Sequence, residues 1–356
     1  MSKSAHLLWI ELSRSALRHN ICALGKLASG RSLTACIKSN AYGHGLGPIV
    51  TELADLPEVA YVTVHSLEEA RAARDSGWDR RIMVLGPIAA DALESVLELD
   101  LEPVVFDRGI LRRLGKLGER RNCRVHTHLK LETGTNRQGI NIKALPGFAE
   151  IYKSFRSLRR PYGASMHFAN IEDTTVHEYA EYQLREFGRL LAALKQLGIK
   201  PEIRHAASSA ATILFDKTRF DLVRPGISVY GHWPSKETYL SYRLAGGGND
   251  LFRPVLSLKS RITQLKDLAP DTFVGYGCTY KTTARTKLAV VPIGYGDGYD
   301  RDLSNVAHVL VRGKRAPVRG RVCMNLTMVD VTHVKGVRLG DEVTLIGRDG
   351  DEVLTV

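Results

Sequence analysis

The sequence predicts a (β/α)8 TIM barrel followed by a mostly antiparallel β domain. Up to about residue 230, short apolar runs alternate with amphipathic, helix-like stretches, as in a parallel sheet with right-handed crossovers. The number of such runs matches the eight strands that close this kind of barrel. Further along, short β-like segments are separated by turn signals and lack long helices between them. An open, doubly wound sheet is the alternative for the first part.

The predicted barrel strands are short runs bounded by turn residues or by helix-like stretches such as SLEEARAARDSG. They are SLTACIK (32–38), YVTVHS (61–66), RIMVLG (81–86), EPVVFD (102–107), RVHTHLKLE (124–132), YGASMHFAN (162–170), IRHAASS (203–209) and DLVRPGISVYG (221–231). A polar, Gly-rich stretch near 235–253 predicts a linker between the two domains.

Composition indicates an ordinary globular protein. The chain has 356 residues, 44% of them apolar and 25% charged, which fits about two domains. No apolar run approaches the ~18 residues that a membrane span needs, and the N-terminus lacks the long apolar core of a signal peptide. We therefore predict a cytoplasmic protein that does not insert into membranes.

The net charge of +12 is scattered along the chain. Its densest groups, RRLGKLGERR and RSLRR, lie in helix-like stretches without interleaved aromatic residues. Solvated helix faces therefore explain the charge better than a nucleic-acid partner does.

Cysteine and histidine usage argues against disulfides and metal sites. The five cysteines form no CxxC pair, which is typical of a reducing compartment. His126 and His128 fall on one face of a predicted strand, but no third metal ligand lies near them in the sequence. We expect them to be core or hydrogen-bonded histidines, and we predict no metal.

The ends of the predicted strands carry polar groups that should meet at one mouth, because chemistry in such barrels sits at the C-terminal ends of the strands. The groups are Lys38, Lys130 with Arg137, His167, His205 with Ser208 and Ser209, and the segment Arg224 to Ile227. Cationic and hydroxyl groups beside backbone N–H groups suit an anionic ligand such as a phosphate.

Lys38 is a lone ammonium at the end of an apolar strand. A lysine that is partly desolvated and near other cations loses proton affinity and becomes a usable nucleophile. Its best-known use is an imine with a carbonyl compound, and together with a phosphate site this points to pyridoxal 5′-phosphate. The alternative is a structural lysine that extends its ammonium to solvent.

Seven motifs, in order along nearly the whole chain, resemble those of the alanine racemase family. They are CIKSNAYGHG, LKLETGTNRQG, HFAN, VRPGISVYG, VGYGCTY, VVPIGYGDGY and GRVCMNLTMVDVT. The resemblance implies a fold-type III pyridoxal-phosphate enzyme that interconverts L- and D-alanine. It also implies a homodimer with shared active sites, and D-alanine as a peptidoglycan precursor. The domains expected from it are 12–240 for the barrel and 1–11 with 241–356 for the β domain.

The resemblance implies two acid/base groups on opposite faces of the substrate. Lys38 would hold the cofactor and serve as one, and Tyr276 of the partner subunit would be the other. Such a division removes the α-proton on one face and returns it on the other. His205 and Arg224 match a hydrogen-bonded relay that supports the tyrosine. Arg224 would also donate to the pyridine nitrogen, because an arginine does not give up its proton.

The remaining assignments also follow from the resemblance. Tyr42, Ser209, Gly226 and Ile227 match the phosphate contacts, and His167 lines the site near the cofactor. Arg137 and Met324, the latter from the partner subunit, match contacts to the substrate carboxylate. Lys130 matches a lysine that is often carbamylated and holds that arginine, and Tyr295 matches an entrance residue.

Three features depart from the family pattern. Asn325 and Leu326 stand where aspartate and glutamine are usual, and Ser208 replaces an asparagine near the cofactor. These changes leave open a broader amino-acid racemase. The sequence also ends at GDEVLTV, before a further tyrosine that contacts the phosphate in the family, so we expect weaker cofactor retention if this chain has no such residue.

Two other functions remain open at this stage. A fold-type III decarboxylase generally uses a cysteine of the partner subunit opposite the lysine, and Cys278 and Cys323 lie close to Tyr276 and Met324 in the sequence. A non-catalytic pyridoxal-phosphate carrier resembles the barrel alone, and it has no need of a second domain that supplies an acid/base group.

Overall fold

The computed structural model describes residues 6–158 and 160–355. The chain divides into two compact units, Arg14–Arg253 and Met1–Ser13 with Pro254–Val356. We call them the barrel unit and the β unit. These boundaries differ from the expected ones at 12 and 240. Arg253 stays with the barrel unit because its backbone N–H and C=O both hydrogen-bond to the buried side chain of Asn20.

The first strand, β1 (Leu8–Leu12), belongs to the β unit, and the barrel begins with the next one. The barrel strands are β2 (Ser32–Cys36), β3 (Val59–Val64), β4 (Arg81–Val84), β5 (Leu101–Val105), β6 (His128–Lys130), β7 (Gly163–Ser165), β8 (Ile203–His205) and β9 (Leu222–Val223). All pairings between neighbours are parallel, in the order β8-β7-β6-β5-β4-β3-β2-β9.

The two ends of this sheet meet. Backbone hydrogen bonds from Asp221 N–H to the Arg204 carbonyl (3.1 Å) and from Arg224 N–H to the Ala207 carbonyl (2.8 Å) join the β8 and β9 segments. This contact confirms the predicted barrel and excludes the open, doubly wound sheet. The later strands are shorter than predicted, because the chain leaves the ladder and turns into the mouth soon after each strand begins.

Helices follow most of the strands and cover the barrel. They are α1 (Arg14–Ala28), α2 (Lys38–Tyr42), α3 (Leu46–Ala54), α4 (Leu67–Asp75), α5 (Glu94–Glu98), α6 (Arg108–Arg120), α7 (Leu145–Ser154), α8 (Glu178–Gln196), α9 (Ser209–Leu214) and α10 (Lys236–Leu244). In α8 the buried residues Ala180, Gln183, Phe187, Leu190 and Leu194 recur every three or four positions, which explains the amphipathic pattern.

Helix α10 occupies the stretch that we expected to be a linker. The Ser235 side chain accepts a hydrogen bond from the Thr238 backbone N–H at 2.9 Å and caps the helix start. A local cap therefore outweighed the polar composition that suggested irregular structure.

The β unit is entirely antiparallel in its paired strands. Its remaining strands are β10 (Leu256–Arg261), β11 (Gln264–Leu268), β12 (Phe273–Val274), β13 (Tyr280–Lys281), β14 (Thr286–Val291), β15 (His308–Val311), β16 (Lys314–Pro317), β17 (Thr327–Asp330), β18 (Glu342–Asp349) and β19 (Glu352–Leu354). One sheet runs β1-β10-β18-β15-β16 with β19 beside β18, another is β11-β14-β17, and β12 and β13 form a hairpin.

Candidate active site at the barrel mouth

A cavity of about 630 Å³ opens among the segments that follow the barrel strands. All of its lining residues belong to the barrel unit. The lining includes residues that the strand ends predicted to converge, namely Lys38, Lys130, Arg137, His167, Ser208, Ser209, Arg224, Gly226 and Ile227. It also includes Tyr42, which the family resemblance assigned to the site. His205 is fully buried and reaches the cavity only through Arg224.

Lys38 begins the short segment α2, whose backbone has an unusual conformation. Ser39, Asn40, Ala41 and Tyr42 all have φ between 52° and 54°, in the left-handed region. Each such non-glycine residue costs about 1–2 kcal/mol, so the surrounding structure must hold the turn. The strain lies directly beside the lysine, where it fixes the direction in which the chain leaves β2.

Glu69 supplies part of that support and was not predicted from the sequence. Its carboxylate accepts hydrogen bonds from the backbone N–H groups of Ser39 (2.5 Å) and His65 (2.7 Å). The side chain of Asn40 accepts another from the backbone N–H of Leu46 at 2.8 Å. These bonds connect the Lys38 turn to the segments that follow it and the next strand.

Arg224 is the most buried cation of the site, with 8% of its surface exposed. Its guanidinium contacts His205 Nδ1 (Nη1, 2.6 Å) and donates from Nη2 to the Met166 carbonyl at 2.9 Å. Burial lowers the pKa of Arg224 to about 10, so the group remains a cation at neutral pH. It can only donate hydrogen bonds.

The cavity lining also contains the basic side chains of Lys38, Lys130, Arg137 and His167. Burial, reinforced by the charges of Arg224 and Arg137, lowers the pKa of Lys130 to about 7. Burial and the same group of cations, Lys130 first among them, also hold the pKa of His167 well below its usual value. Glu172 is the one carboxylate in the cavity lining. The cavity therefore favours an anionic ligand.

Hydroxyl and backbone groups form a close cradle on another side. The Ser209 Oγ accepts hydrogen bonds from the backbone N–H groups of Gly226 (2.9 Å) and Ser228 (3.4 Å). A Cβ on Gly226 would lie 2.3 Å from the Tyr42 hydroxyl, so only glycine allows this approach. The Ser208 hydroxyl is buried and has no hydrogen-bond partner among the described residues.

The site residues predicted in the β unit are exposed on neighbouring loops. Tyr276, Tyr295 and Met324 expose 71%, 43% and 57% of their surfaces. The Tyr295 backbone N–H donates to the Cys323 carbonyl, and the next N–H donates to the Met324 carbonyl, which joins two of the loops. Large side chains left exposed together are typical of a surface that a partner covers.

Within residues 6–158 and 160–355, no cluster of three or more His, Cys, Asp or Glu side chains could hold a metal ion. The same described part of the chain contains no helix with the length and apolar character needed to cross a bilayer. The prediction of a hydrogen-bonded histidine is confirmed for His128, which lies 2.8 Å from Glu102 through its Nε2.

Comparison with known proteins covers both units. Residues 12–234 match the family described as alanine racemase, N-terminal domain, and residues 255–356 match alanine racemase, C-terminal domain. An alanine racemase of Leptospira interrogans (strain Fiocruz L1-130) is 38% identical over 99% of this chain and 90% of its own length. One of Methanococcus maripaludis is 35% identical over 99% and 92%.

Solved structures give the same result. Alanine racemase of Bacillus anthracis with bound L-Ala-P has a TM-score of 0.89 and 32% identity, covering 99% of this chain and 89% of that one. Alanine racemase of Bartonella henselae with covalently bound pyridoxal phosphate has a TM-score of 0.83 and 25% identity, covering 96% and 91%.

Proposed function

The chain is an enzyme of the alanine racemase family, and from that premise we propose that it interconverts L- and D-alanine with pyridoxal 5′-phosphate and two acid/base groups, Lys38 and Tyr276. The observation that carries the proposal is the cavity at the barrel mouth. There Lys38 faces a space lined by Lys130, Arg137 and Arg224, which suits a ligand with a phosphate and a carboxylate.

The residues present fit pyridoxal phosphate. Ser209, Tyr42 and the backbone N–H groups of Gly226 and Ile227 would hold the phosphate, and the partnerless hydroxyl of Ser208 is available to the ligand. When bound, this cofactor withdraws electrons from the substrate and makes its Cα–H bond acidic. Arg224, a donor only, would leave the ring nitrogen without a proton and so limit side reactions.

The chain's own groups then move a proton at the substrate Cα. Lys38 Nζ would act on one face, and the hydroxyl of Tyr276 of the partner subunit on the other. Arg137, supported by Lys130, would orient the substrate carboxylate, to which Met324 of the partner subunit would add its backbone N–H. A homodimer with shared sites follows from this arrangement, and Tyr295 would line its entrance.

The function is tested by solvent-deuterium incorporation into L-alanine, L-serine and L-lysine, with chiral product analysis and added pyridoxal phosphate. We expect deuterium at Cα and D-alanine as the dominant product. Comparable exchange in all three amino acids would instead indicate a broad racemase and would give Ser208 and Asn325 a role in it. Carbon dioxide release would indicate a decarboxylase, and cofactor binding without any exchange would indicate a carrier.

Gly226→Ala is expected to weaken cofactor binding. The new Cβ would meet the Tyr42 hydroxyl at 2.3 Å and the adjacent ring carbon at 3.0 Å, so the tyrosine must move out of the cradle. Overpacking costs about 1–3 kcal/mol, which predicts a roughly 5- to 150-fold higher Kd for pyridoxal phosphate by titration. Gly188→Ala is the matched control, because a Cβ there meets nothing within 4 Å. Equal Kd values in the two variants would show that the close approach of Gly226 to Tyr42 is not needed for cofactor binding.

Carbamylation of Lys130 should appear as the pH rises. Only the neutral amine adds to carbon dioxide, in a step that forms the N–C bond and releases a proton. Because the Lys130 pKa is lowered to about 7, the neutral amine becomes the major form above that pH. With ¹³C-bicarbonate we expect a carbamate NMR signal that grows as the pH passes through about 7. Lys130→Arg should abolish the signal, and a signal that persists in this variant would place the modification elsewhere.

A further inference from the structure

A chain of buried side chains continues from Arg224 into the barrel interior. Arg224 Nη1 contacts His205 Nδ1 at 2.6 Å, and His205 Nε2 contacts His128 Nδ1 at 2.9 Å. His128 Nε2 in turn contacts Glu102 Oε2 at 2.8 Å. The other oxygen of Glu102 accepts from Arg81 Nη1 at 2.7 Å. The series thus joins side chains of β4, β5, β6 and β8 with Arg224, which directly follows β9.

Only one placement of the hydrogens satisfies all the contacts of this hydrogen-bonded series. Arg224 only donates, so His205 Nδ1 must accept and His205 Nε2 must carry the hydrogen. His128 Nδ1 then accepts, and His128 Nε2 donates to Glu102, which as a carboxylate only accepts. Both histidines are neutral in this arrangement. Every ring nitrogen in the chain has a partner, which buried polar groups require.

The Glu102 end of this hydrogen-bonded series is buried and ionised. Both histidines are fully buried, and 5% of Glu102 is exposed. Burial alone would raise the pKa of Glu102, but the hydrogen bond from His128, the nearby His126 (Nδ1 at 3.6 Å) and the charge of Arg81 lower it to about 2. The other groups that face it are Tyr61, which accepts from Arg81 at 3.0 Å, and Tyr162, whose ring lies 4.5 Å from the Arg81 guanidinium carbon. The Glu102 carboxylate therefore keeps its charge near neutral pH.

We propose that Glu102 is a positioning residue for Arg224, acting through His128 and His205 by fixing the proton of each ring. This inference rests on the proposed function, in which Arg224 faces the cofactor. Without the acceptor at Glu102, His128 is free to move its hydrogen to Nδ1, where it meets the N–H of His205. If His205 then changes in the same way, its Nδ1 no longer accepts from Arg224.

Two substitutions of Glu102 separate the effect of its negative charge from the effect of its hydrogen-bond acceptor. Glu102→Gln keeps a carbonyl oxygen that can accept from His128 but removes the negative charge. Glu102→Leu removes the acceptor as well. Glu202→Gln is the matched control. Glu202 pairs with Arg124 and Arg160 and is not one of the residues that connect Arg224 to Glu102. We expect the leucine variant to be affected most and the glutamine variant less.

The first measurement is ¹⁵N NMR of the histidine rings, with and without pyridoxal phosphate. In the parent protein His128 and His205 should both be neutral with hydrogen on Nε2. In Glu102→Leu we expect hydrogen on Nδ1 of at least one ring. The second measurement is cofactor affinity and kcat, for which we expect losses of about tenfold or more, since small misplacements of a binding group have such effects.

The outcomes distinguish the inference from the proposed function. Unchanged histidine protons in both Glu102 variants would overturn the inference, as would a lower thermal stability with unchanged kcat and cofactor affinity. If the parent protein binds the cofactor but racemises nothing, the proposed function fails. The ring protons and the cofactor affinity of the Glu102 variants still test the inference in that case. Should Glu102→Leu fail to fold, Glu102→Met, which also removes the acceptor, provides the same readouts.

Discussion

Lys38→Ala is expected to lower kcat for alanine racemisation by at least about 10⁴-fold, because in the proposed mechanism it removes both the group that holds the cofactor and one of the two acid/base groups. A single acid/base group contributes about 10²–10⁴-fold, so the combined loss should reach the upper end of that range or exceed it. The loss should be equal in both directions of the reaction, since the substitution acts on the same chemical step.

The measurement is deuterium incorporation at Cα with chiral product analysis, at saturating pyridoxal phosphate. Lys143→Ala is the matched control, because Lys143 is an exposed lysine of the same unit. A small primary amine added to the Lys38→Ala protein should restore part of the exchange by entering the vacated space. Substantial exchange in the variant without added amine would show that Lys38 is not the essential base.

The backbone conformation after Lys38 explains why the placement of this lysine depends on the residues around it. Four consecutive left-handed residues follow the lysine, and together they cost several kcal/mol. The carboxylate of Glu69 and the side chain of Asn40 hold the turn by hydrogen bonds to backbone N–H groups. The position of the lysine is therefore a property of the fold around it, and not of the motif alone.

The alternation of apolar runs and amphipathic stretches was enough to predict the barrel, because parallel strands buried on both faces leave a clear signal. It was not enough to place the ends of β6, β7 and β9, which stop after two or three residues. Beyond these strand ends, the predicted runs continue as loops into the mouth of the barrel. Periodicity does not distinguish a buried strand from a buried loop.

The site was predictable in part for a similar reason. Lys38, Arg224 and Gly226 follow strand ends, and the topology of the barrel determines where such residues lie. The contact between Arg224 and His205 was predicted, but its continuation to His128 and Glu102 was not, because these residues meet across strands far apart in sequence. One signal was present, a glutamate inside the otherwise apolar run LEPVVF. A charge in a fully buried strand requires partners, which here are the Arg81 guanidinium and the His128 N–H.

Tyr276→Phe is expected to lower kcat by about 10²–10⁴-fold while one enantiomer of alanine still exchanges its α-proton with solvent. The ring remains, and only the hydroxyl that we propose moves the proton is lost. Lys38 still acts on its own face, so deuterium should enter one enantiomer without inversion. Tyr280→Phe, in the strand that follows Tyr276, is the matched control and should racemise normally. Exchange lost equally in both enantiomers would argue against two bases.

A mixture of two inactive variants tests whether the site is shared between subunits. Each chain of a Lys38→Ala and Tyr276→Phe pair lacks a different acid/base group. In a mixed dimer with shared sites, one site contains both defects and the other contains Lys38 from one chain and Tyr276 from its partner. Random reassociation should therefore restore about a quarter of the parental sites. If both groups of each site came from one chain, mixing would restore nothing, because every site would still lack one of them. The exposure of Tyr276 in a single chain is what leads us to expect the first result.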